Sequence, residues 1–489
     1  MKTALPLTFL LLTLPAAAVE HLTVIGDSLT KEYQITFPGL PAAGVDGIDP
    51  TNPNARTWAE ILHERRSAHF HSGLFKNSLF DRWSDLRLLG HEYNWAIPGA
   101  TGRTLRLLLT NPSSPELTAD PDLAQFIAFA ADWQLMSARL TAQLQTAAYA
   151  SVIWCGANDL RYGNSDPSAA FGGQAIRYQT IYEGTGTGAG NPQPLMDSIK
   201  SSIQTIALTM QAANPALPIA VCAVPHVGCS PEVKLLWPTD PVRTARISTA
   251  LETLNAELRS WTENTLHGAW VDLYPLTKRL LTATADIGGV TFINTSDNVT
   301  PPLPVSAHNR YLFSHDGFHP TTTIQAVIAQ TIHAALRAKY PAKFSASPGL
   351  TDREILTDIL GIPVNAGYDD FMAAAGVPAA QRGPDKDPDG DGLLNIMEWI
   401  LAGNDPLHGS APALPQPGYD TAAATFTLTW RPRYENFVYA SVICQQSTRL
   451  STWTDVPAAQ LTTNTDATVT ARVPASGSIF LRLKVTVTP

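Results

Sequence analysis

Short apolar stretches alternate with amphipathic segments over about the first two thirds of the chain. Between the apolar stretches, hydrophobic residues recur at steps of three and four, the period of a helix with one buried face. The strands predicted are His21–Ile25, Tyr93–Ile97, Ser151–Trp154, Ile219–Val224 and Ala269–Leu273, and the helical stripes run Phe129–Leu144, Leu195–Met210, Ile247–Trp261 and Ile324–Ile332. Strand and helix in alternation are typical of a parallel sheet covered on both faces, so we predict a doubly wound α/β domain.

Two connections between these elements are unusually long. They span residues 31–56 and 161–194, and each follows a predicted strand at the carboxyl edge, where open α/β sheets bind ligands. Their aromatic residues either stack on a sugar ring or acyl chain or pack against the loops themselves. These residues are Tyr33, Phe37, Tyr162, Phe171, Tyr178 and Tyr182.

The pattern changes after residue 345. Residues 349–410 combine helical stretches with Asp- and Gly-containing turns, and the proline-rich run Gly409–Gly418 predicts a linker. From Thr425 onward apolar residues alternate at period two, which predicts a small all-β module. Its predicted strands are Thr425–Trp430, Val438–Val442, Thr468–Val473 and Phe480–Val487. We therefore predict domains at 19–345, 346–410 and 411–489, the middle one a helical segment and the last one β-sandwich-like.

Charge and hydropathy narrow the class of protein. The 489 residues carry 33 Lys and Arg against 42 Asp and Glu, a net charge of −9, which offers no basic field to nucleic acid. No run reaches the ~18 apolar residues of a transmembrane helix. Residues 1–18 have the pattern of an export signal, with Lys2, an apolar run Leu5–Leu14 and small residues Ala16–Ala18. We expect a secreted or periplasmic mature chain that begins near Val19.

The four cysteines match no zinc-binding spacing. They are Cys155, Cys222, Cys229 and Cys444, too few in so long a chain for a disulfide scaffold. Cys222 and Cys229 could close a small loop in an oxidising compartment. Buried free thiols are the alternative.

Four short motifs in chain order carry the candidate chemistry. Gly26-Asp27-Ser28 directly follows the first predicted strand, where a serine at a strand-to-helix turn exposes both its hydroxyl and its N–H. Gly99 follows the second strand and lets the backbone approach a ligand closely. Asn158, in Gly156-Ala157-Asn158-Asp159, follows the third strand and can point an amide donor at the same place.

The fourth motif, Asp316-Gly317-Phe318-His319-Pro320, lies just ahead of the last predicted helix. A carboxylate three residues before a histidine can hold the imidazole in one tautomer, and the histidine can then act as a general base toward a serine. A helix-capping aspartate beside a surface histidine is the structural alternative. The joint presence of nucleophile, donors and Asp–His pair favours nucleophilic catalysis.

These four motifs resemble those of the SGNH hydrolases, also called the GDSL esterase/lipase family, over roughly residues 19–340. The resemblance implies a flavodoxin-like three-layer α/β/α sandwich with Ser28 as nucleophile and Asp316 and His319 as its partners. It also implies an oxyanion hole made by Ser28, Gly99 and Asn158. The chain has neither the Gly-x-Ser-x-Gly elbow of other α/β-hydrolases nor the His-Glu-x-x-His helix of zinc hydrolases. No cofactor is expected for catalysis.

Residues 387–398 fit the twelve-residue EF-hand calcium loop position by position. The predicted ligands are Asp387, Asp389, Asp391, the Leu393 carbonyl, Asn395 and Glu398. Because a single loop is evident, a structural calcium is favoured over a sensor. A solvated Asp/Gly turn is the alternative.

The sequence therefore predicts a secreted serine esterase that acts on carboxylic esters, with O-acyl groups on carbohydrate as the favoured substrates. Export and an appended β module suit a polymer, but that step is an analogy. A lipase on lipid esters is the alternative within the enzyme class, and a non-catalytic carbohydrate-binding or adhesion protein is the alternative outside it. The aromatic residues of the β module, Trp430, Tyr434, Phe437, Tyr439 and Trp453, fit either a binding role or packing against the hydrolase.

Overall fold

The protein is described here by a computed structural model. It describes residues 20–33, 55–76, 83, 85, 90–119, 132–161, 170–171, 174–175, 177–185, 191–300, 303–409, 413–475 and 477–488. The predicted export signal lies outside the described residues. So do most of the 31–56 connection and parts of the 161–194 connection.

A parallel sheet of four strands forms the centre of the first domain, in the order β1-β4-β7-β8. Helices cover both faces. The β-strands of this domain are β1 His21–Gly26, β2 Phe75–Lys76, β3 Gly90–His91, β4 Ala148–Trp154, β5 Ala170–Phe171, β6 Gln174–Ala175, β7 Ile219–Cys222, β8 Ala269–Val271, β9 Asp286–Ile287, β10 Val290–Thr291, β11 Ile293–Ser296 and β12 Tyr311–Phe313. The strands of the sheet are buried on both faces, and their apolar runs reflect this burial.

The helices form two layers. The α-helices up to residue 344 are α1 Trp58–Phe70, α2 Gly102–Thr110, α3 Pro115–Ala119, α4 Trp133–Thr146, α5 Ala157–Arg161, α6 Tyr178–Glu183, α7 Gln193–Ala213, α8 Pro231–Leu236, α9 Pro241–Asn264, α10 Tyr274–Arg279, α11 Thr322–Lys339 and α12 Pro341–Phe344. Helix α11 packs against α1 and the sheet on one side, while α2, α4, α7 and α9 pack together on the other. The three-layer α/β/α prediction is confirmed.

One predicted strand is present at its expected place but is not continuous. Tyr93–Ile97 lies beside β1 with the register of a fifth strand, because Val24 N–H donates to Tyr93 O (3.0 Å) and Ile97 N–H to Gly26 O (3.0 Å), but only Asn94 forms a bridge. A turn closed by Asn94 N–H to His91 O (3.2 Å) precedes the segment, and Pro98 follows it. Too few residues remain for a regular strand. With this segment the order corresponds to the flavodoxin-like 2-1-3-4-5.

The helical stripes are otherwise close to the prediction. Leu195–Met210 falls within α7, Ile247–Trp261 within α9 and Ile324–Ile332 within α11. The described part of the stripe predicted from Phe129 lies in α4, whose first turn is capped by the Asp132 side chain through the Leu135 N–H (2.8 Å). Phe129 itself lies outside the described residues.

The C-terminal part contains two antiparallel sheets, β13-β14-β18-β17 and β16-β15-β19. Its elements are α13 Asp352–Glu354, a π-helical turn Ile355–Ile359, α14 Ala366–Ala374, α15 Asn395–Ile400, β13 Gln416–Asp420, β14 Thr425–Trp430, β15 Ala440–Ser447, β16 Thr454–Asp455, β17 Leu461–Thr463, β18 Val469–Pro474 and β19 Phe480–Val487. The all-β module is confirmed. Strand β13 corrects the linker prediction, since its first three residues fall in Gly409–Gly418. Pro417 is compatible with this strand because β13 is an edge strand.

Two hydrophobic cores divide the described chain. The core of the hydrolase domain extends through Leu360 and Ile362, whereas the buried hydrophobic residues from Tyr368 onward belong to the core of the β module. Trp399 is fully buried in this second core, and its ring lies edge-to-face with Phe437 at 5.0 Å between centroids. The segment that contains the predicted calcium loop and the β module therefore share one core.

Candidate active site

Ser28 lies in a tight turn directly after β1. Lys31 N–H donates to Asp27 O (3.1 Å), and the Asp27 side chain accepts the Leu29 N–H (2.9 Å). The sequence predicted a helix start here, and the structure instead has a single turn. The Ser28 side chain is 6% exposed and lies at the carboxyl edge of the central sheet.

His319 connects Ser28 to Asp316. Its Nε2 lies 2.7 Å from Ser28 Oγ, and its Nδ1 contacts Asp316 Oδ2 at short range. The loop that carries both residues is held by Asp316 Oδ1, which accepts the N–H groups of Phe318 (2.9 Å) and His319 (3.0 Å). An Nδ1–carboxylate contact fixes the tautomer that leaves Nε2 able to accept a proton from the serine hydroxyl. The structure thus brings these three predicted residues together.

The electrostatics keep Asp316 ionised. Burial acts to raise its pKa, but the charge of His319, the contact with its ring and the two backbone N–H donors outweigh burial. The pKa of Asp316 is lowered to about 2. At neutral pH a carboxylate therefore faces the imidazole. This charge can stabilise the imidazolium that forms when the histidine takes a proton.

The segments that carry the predicted oxyanion residues lie at the same edge of the central sheet as Ser28. Strand β1 pairs with β4 so that Gly26 lies beside Trp154, and Ile97 is hydrogen-bonded to Gly26 on the other side. Gly99 has φ +76°, a left-handed conformation that favours glycine. Asn158 Nδ2 donates one hydrogen to Ala100 O (3.1 Å), which orients the amide. An amide nitrogen carries two hydrogens, so the second can serve a ligand.

A buried acid lies directly beside Ser28. Asp27 is 1% exposed, and burial raises its pKa to about 7, against the Leu29 N–H and the charge of His319, which lower it. The charge of Asp159 adds to the rise. Asp159 in turn accepts the Gly102 N–H (2.9 Å), which ties the asparagine helix α5 to the start of α2.

A small apolar cavity of about 50 Å³ lies beside the Ser28 and His319 loops. Leu29, Phe318 and Pro320 contribute to its wall, each of them a neighbour in sequence of one of those two residues. The fully buried His226 also lines it, and burial lowers the pKa of His226 to about 4. The histidine is therefore neutral at pH 7 and keeps the cavity uncharged. Sequence reasoning missed this cavity, because its walls come from segments far apart in the chain.

The aromatic residues of the two long connections have different environments. Tyr178 and Tyr182 are buried in the hydrophobic core, so packing explains them. The Tyr33 hydroxyl donates to Pro320 O (3.0 Å) and its ring end therefore reaches the histidine loop. Phe37 and Tyr162, and the side chain of Phe171, lie outside the described residues. All four cysteines are buried and free, so Cys222 and Cys229 are not joined.

The predicted calcium loop gathers three of its carboxylates. One oxygen each of Asp387, Asp389 and Asp391 lies within 4.8 Å of the others. Asp387 accepts the N–H groups of Gly390 (2.9 Å) and Gly392 (3.0 Å). Gly392 has φ +92°, as the sharp turn at the sixth position of such a loop requires. These hard oxygen donors fit Ca²⁺.

The other predicted ligands are placed differently. Asn395 and Glu398 are fully buried at the start of α15, and the Asn395 amide donates to Gln381 O (2.8 Å) and Gly383 O (2.9 Å). Leu393 N–H donates to Asp391 Oδ1 (2.8 Å), and the residue is half-buried. Within the described ranges, the close group of metal-binding side chains therefore consists of the three aspartates alone.

The aromatic residues of the β module pack inward. Trp430 is buried, and Tyr434, Phe437 and Tyr439 surround Trp399 of α15. Trp453 carries the Arg482 guanidinium over its ring at 4.1 Å. Packing therefore accounts for Trp430, Tyr434, Phe437 and Tyr439, whereas Trp453 is half-buried and lies outside the hydrophobic core.

Comparison with known proteins agrees with the architecture. The model of the family "GDSL-like Lipase/Acylhydrolase" matches residues 22–332. No curated protein sequence matches the chain significantly. No helix in the described part of the chain is both long and apolar enough to cross a bilayer.

Several solved structures are similar at low identity. A carbohydrate esterase family 3 protein from Talaromyces cellulolyticus is 14% identical over 64% of this chain and 94% of its own, with a TM-score of 0.28. A GDSL-like lipase from Bacteroides thetaiotaomicron is 12% identical over 66% and 92%, with a TM-score of 0.29. An extracellular lipase from Streptomyces rimosus is 13% identical over 63% and 99%, also with a TM-score of 0.29. At these scores none of them bears on substrate.

The family match covers well over half of the chain and includes all four motifs quoted from the sequence. The expected resemblance is thereby confirmed. The chain belongs to the GDSL-like lipase/acylhydrolase (SGNH) family and is a carboxylic ester hydrolase.

Proposed function

We propose that the protein is an exported serine esterase that removes O-acyl groups, chiefly acetyl, from carbohydrate. The observation that carries the catalytic part is the 2.7 Å contact between His319 Nε2 and Ser28 Oγ, with Asp316 on the opposite ring nitrogen. Ser28 is the nucleophile, His319 the general base and Asp316 the group that orients the imidazole.

In the first half of the reaction, Ser28 Oγ attacks the ester carbonyl carbon while its proton passes to His319 Nε2. The carbonyl π electrons move to oxygen, and the oxyanion accepts hydrogen bonds from the N–H groups of Ser28 and Gly99 and from the Asn158 amide. Collapse of this intermediate breaks the bond to the alcohol oxygen, which takes the proton from His319. The alcohol leaves, and the acyl group stays on Ser28.

In the second half, His319 removes a proton from water, whose oxygen attacks the acyl carbon. The second tetrahedral intermediate collapses, and Ser28 Oγ leaves with the proton held by His319. The carboxylic acid is released and the enzyme returns to its starting state. Throughout both halves Asp316 stays ionised, which its low pKa permits.

The apolar cavity next to the Ser28 and His319 loops does not determine the size of the acyl group, because neither Ser28 nor His319 lines it. The proposal of acetyl groups therefore depends on carbohydrate as the expected alcohol. Export and an attached β module add support for a polymeric carbohydrate as the alcohol. Lipid esters with longer chains are the alternative substrate.

We also propose that the loop at 387–398 binds a structural calcium ion. Asp387, Asp389 and Asp391 would supply side-chain oxygens, with the Leu393 carbonyl, Asn395 and Glu398 completing the loop pattern. When bound, the ion would offset two of the three negative charges of the neighbouring carboxylates. Glu398 directly precedes Trp399 at the centre of the second core, so the ion would stabilise that core and not the site at Ser28.

The first experiment measures hydrolysis of p-nitrophenyl esters from acetate to palmitate by the mature chain, with Ser28→Ala as the control. We expect serine-dependent activity that is highest on acetate and falls steeply beyond butyrate. Acetate release from acetylated xylan, compared with fatty-acid release from a triglyceride emulsion, then separates carbohydrate from lipid. Activity that rises toward palmitate would move the assignment to lipids. The absence of serine-dependent hydrolysis on every ester would leave either a narrow natural substrate or a binding protein on a hydrolase scaffold.

A further inference from the structure

An ion pair joins the two loops on which the proposed chemistry depends. Arg161 is the last residue of α5, three positions after Asn158, and its Nη2 donates to both carboxylate oxygens of Glu232 (2.7 and 2.6 Å). Both side chains are largely shielded from solvent, at 17% and 27% exposure. A charge-assisted contact of this kind is stronger and more directional than an exposed ion pair.

Glu232 is also attached to the loop that carries His319. Its backbone N–H donates to Gly317 O (3.0 Å). Gly317 has φ +73°, and a Cβ at that position would lie 3.4 Å from the Glu232 nitrogen and 3.6 Å from Pro231. These are ordinary contact distances, so glycine is favoured at this position by its left-handed backbone and not by lack of space.

The guanidinium of Arg161 reaches the same loop through a second contact. Its Cζ lies 3.7 Å from the centroid of the Phe318 ring, within the range of a cation–π interaction. Phe318 is 5% exposed and meets the His319 ring edge-to-face, with centroids 5.2 Å apart and planes at 84°. Arg161 therefore packs against the Phe318 ring, which in turn contacts the His319 imidazole.

We infer that Arg161 is a positioning residue: through Glu232 and Phe318 it fixes the position of the His319 imidazole relative to the Asn158 amide. The inference rests on the proposed function, because it concerns the same site. The general base and the oxyanion donor come from separate loops, and a displacement of about 1 Å between such groups can lower the rate about 100-fold. The same contact fixes Phe318 as a wall of the apolar cavity.

The test is a kinetic comparison of Arg161→Ala with a matched control, Arg66→Ala. Arg66 makes a similar two-pronged contact with Glu354 (2.9 and 2.6 Å), with 9% and 19% exposure, at a place remote from Ser28. We expect Arg161→Ala to lower kcat on p-nitrophenyl acetate about 10- to 100-fold with KM changed less than threefold. Arg66→Ala should lower Tm and leave kcat within twofold.

A double-mutant cycle separates positioning from general destabilisation. In a Phe318→Leu background, the factor by which Arg161→Ala lowers kcat should be less than half of the factor measured in the wild-type background, because the stacked ring is absent. Glu232→Gln preserves the shape of the pair and removes its charge, so we expect an intermediate loss of kcat. This variant also serves as the test if Arg161→Ala does not fold.

Amide hydrogen exchange of residues 314–320 gives a readout that does not require turnover. Arg161→Ala should speed exchange in that loop, whereas Arg66→Ala should not. If the wild-type chain shows no Ser28-dependent hydrolysis, the proposed function fails and exchange alone decides the positioning. The inference is overturned if kcat of Arg161→Ala stays within twofold of wild type, or if KM rises with kcat unchanged, which would mark Arg161 as a substrate ligand. Unaltered loop exchange would overturn it as well.

Discussion

His319 Nε2 lies 2.7 Å from Ser28 Oγ although 291 positions separate the two residues in the chain. The contact is supported by Gln325, a fully buried residue of α11. Its side-chain oxygen accepts the Trp58 N–H at the start of α1 (3.0 Å), and its nitrogen donates to Leu29 O (3.1 Å). Helix α11, which follows His319, is therefore hydrogen-bonded to the turn that carries Ser28.

Replacement of Ser28 by alanine should abolish ester hydrolysis. Loss of a serine nucleophile typically lowers kcat about 10⁶-fold, while one neutral hydrogen bond contributes only ~1 kcal/mol to folding. We expect Tm to change by no more than about 2–4 °C. Ser151→Ala, at a fully buried serine of β4, is the control and should retain activity. Labelling of wild-type protein, but not of Ser28→Ala, by a fluorophosphonate probe checks the assignment directly.

Asn158→Ala should lower kcat about 10²–10³-fold with little change in KM, because the lost amide acts on the oxyanion and not on the bound ester. The substitution also removes the hydrogen bond to Ala100 O. Asn214→Ala is the matched control, since the Asn214 amide likewise donates to a backbone carbonyl, that of Leu144, at 3.1 Å. Equal losses of activity in the two variants would contradict an oxyanion role for Asn158.

The raised pKa of Asp27 has a consequence for stability at alkaline pH. The folded protein holds the proton to about pH 7, whereas an unfolded aspartate loses it near pH 4. The stability that this group contributes is therefore present below about pH 4 and is lost as the pH rises through 7. Asp27→Asn, which keeps the acceptor for Leu29 N–H, should be more stable than wild type at pH 8 by ~2–4 kcal/mol.

Unfolding of Asp27→Asn and wild type by urea between pH 5 and pH 9 measures this difference. The gap in free energy of unfolding should narrow as the pH falls. A gap that is constant with pH would show that Asp27 is ionised in the folded protein at pH 5. It would also remove burial as the dominant influence on this carboxyl.

Chelation should lower the stability of the second core and spare catalysis. At a calcium concentration 100 times the dissociation constant, binding stabilises a site by about 2.7 kcal/mol. We expect EDTA to lower the Tm of the transition reported by tryptophan fluorescence, because Trp399 directly follows Glu398. Initial rates on p-nitrophenyl acetate at 25 °C should stay unchanged.

Asp389→Asn should reproduce the effect of EDTA, and calcium titration should no longer raise its Tm. Asp385→Asn is the control, because its side chain is 75% exposed and lies outside the group of three aspartates. If EDTA instead stops hydrolysis while the protein remains folded, the ion has a catalytic role that the loop pattern does not predict.

Periodicity predicted the elements whose burial is continuous. Strand β1 and helices α7, α9 and α11 have one regular apolar pattern over most of their length, and the predicted stripe of each helix falls within it. Strand β13 was not predicted, because its Gln416, Pro417 and Gly418 are exposed on an edge and carry no apolar alternation. Burial produces the pattern, so an exposed strand leaves none.

The motifs likewise predicted the residues that meet at Ser28 but not their support. Arg161 and Glu232 are 71 positions apart, and either of them alone is typical of a solvated helix surface. Gln325 lies on the predicted face of α11 next to Ile324, and nothing in its sequence neighbourhood marks it as a bridge. Pairings between distant segments are set by topology, which local pattern does not contain.

The shared core around Trp399 determines how this protein can be cut and recombined. The last buried residue of the hydrolase core is Ile362, and the first of the other core is Tyr368. The boundary between the two cores therefore lies between these residues and not at the proline-rich run near residue 410. A fragment that begins at the proline-rich run would lack Trp399 and would expose about half of the core that it shares with the preceding segment. The unit that could be grafted onto another enzyme, or inherited as a module, is the loop at 387–398 together with the all-β region.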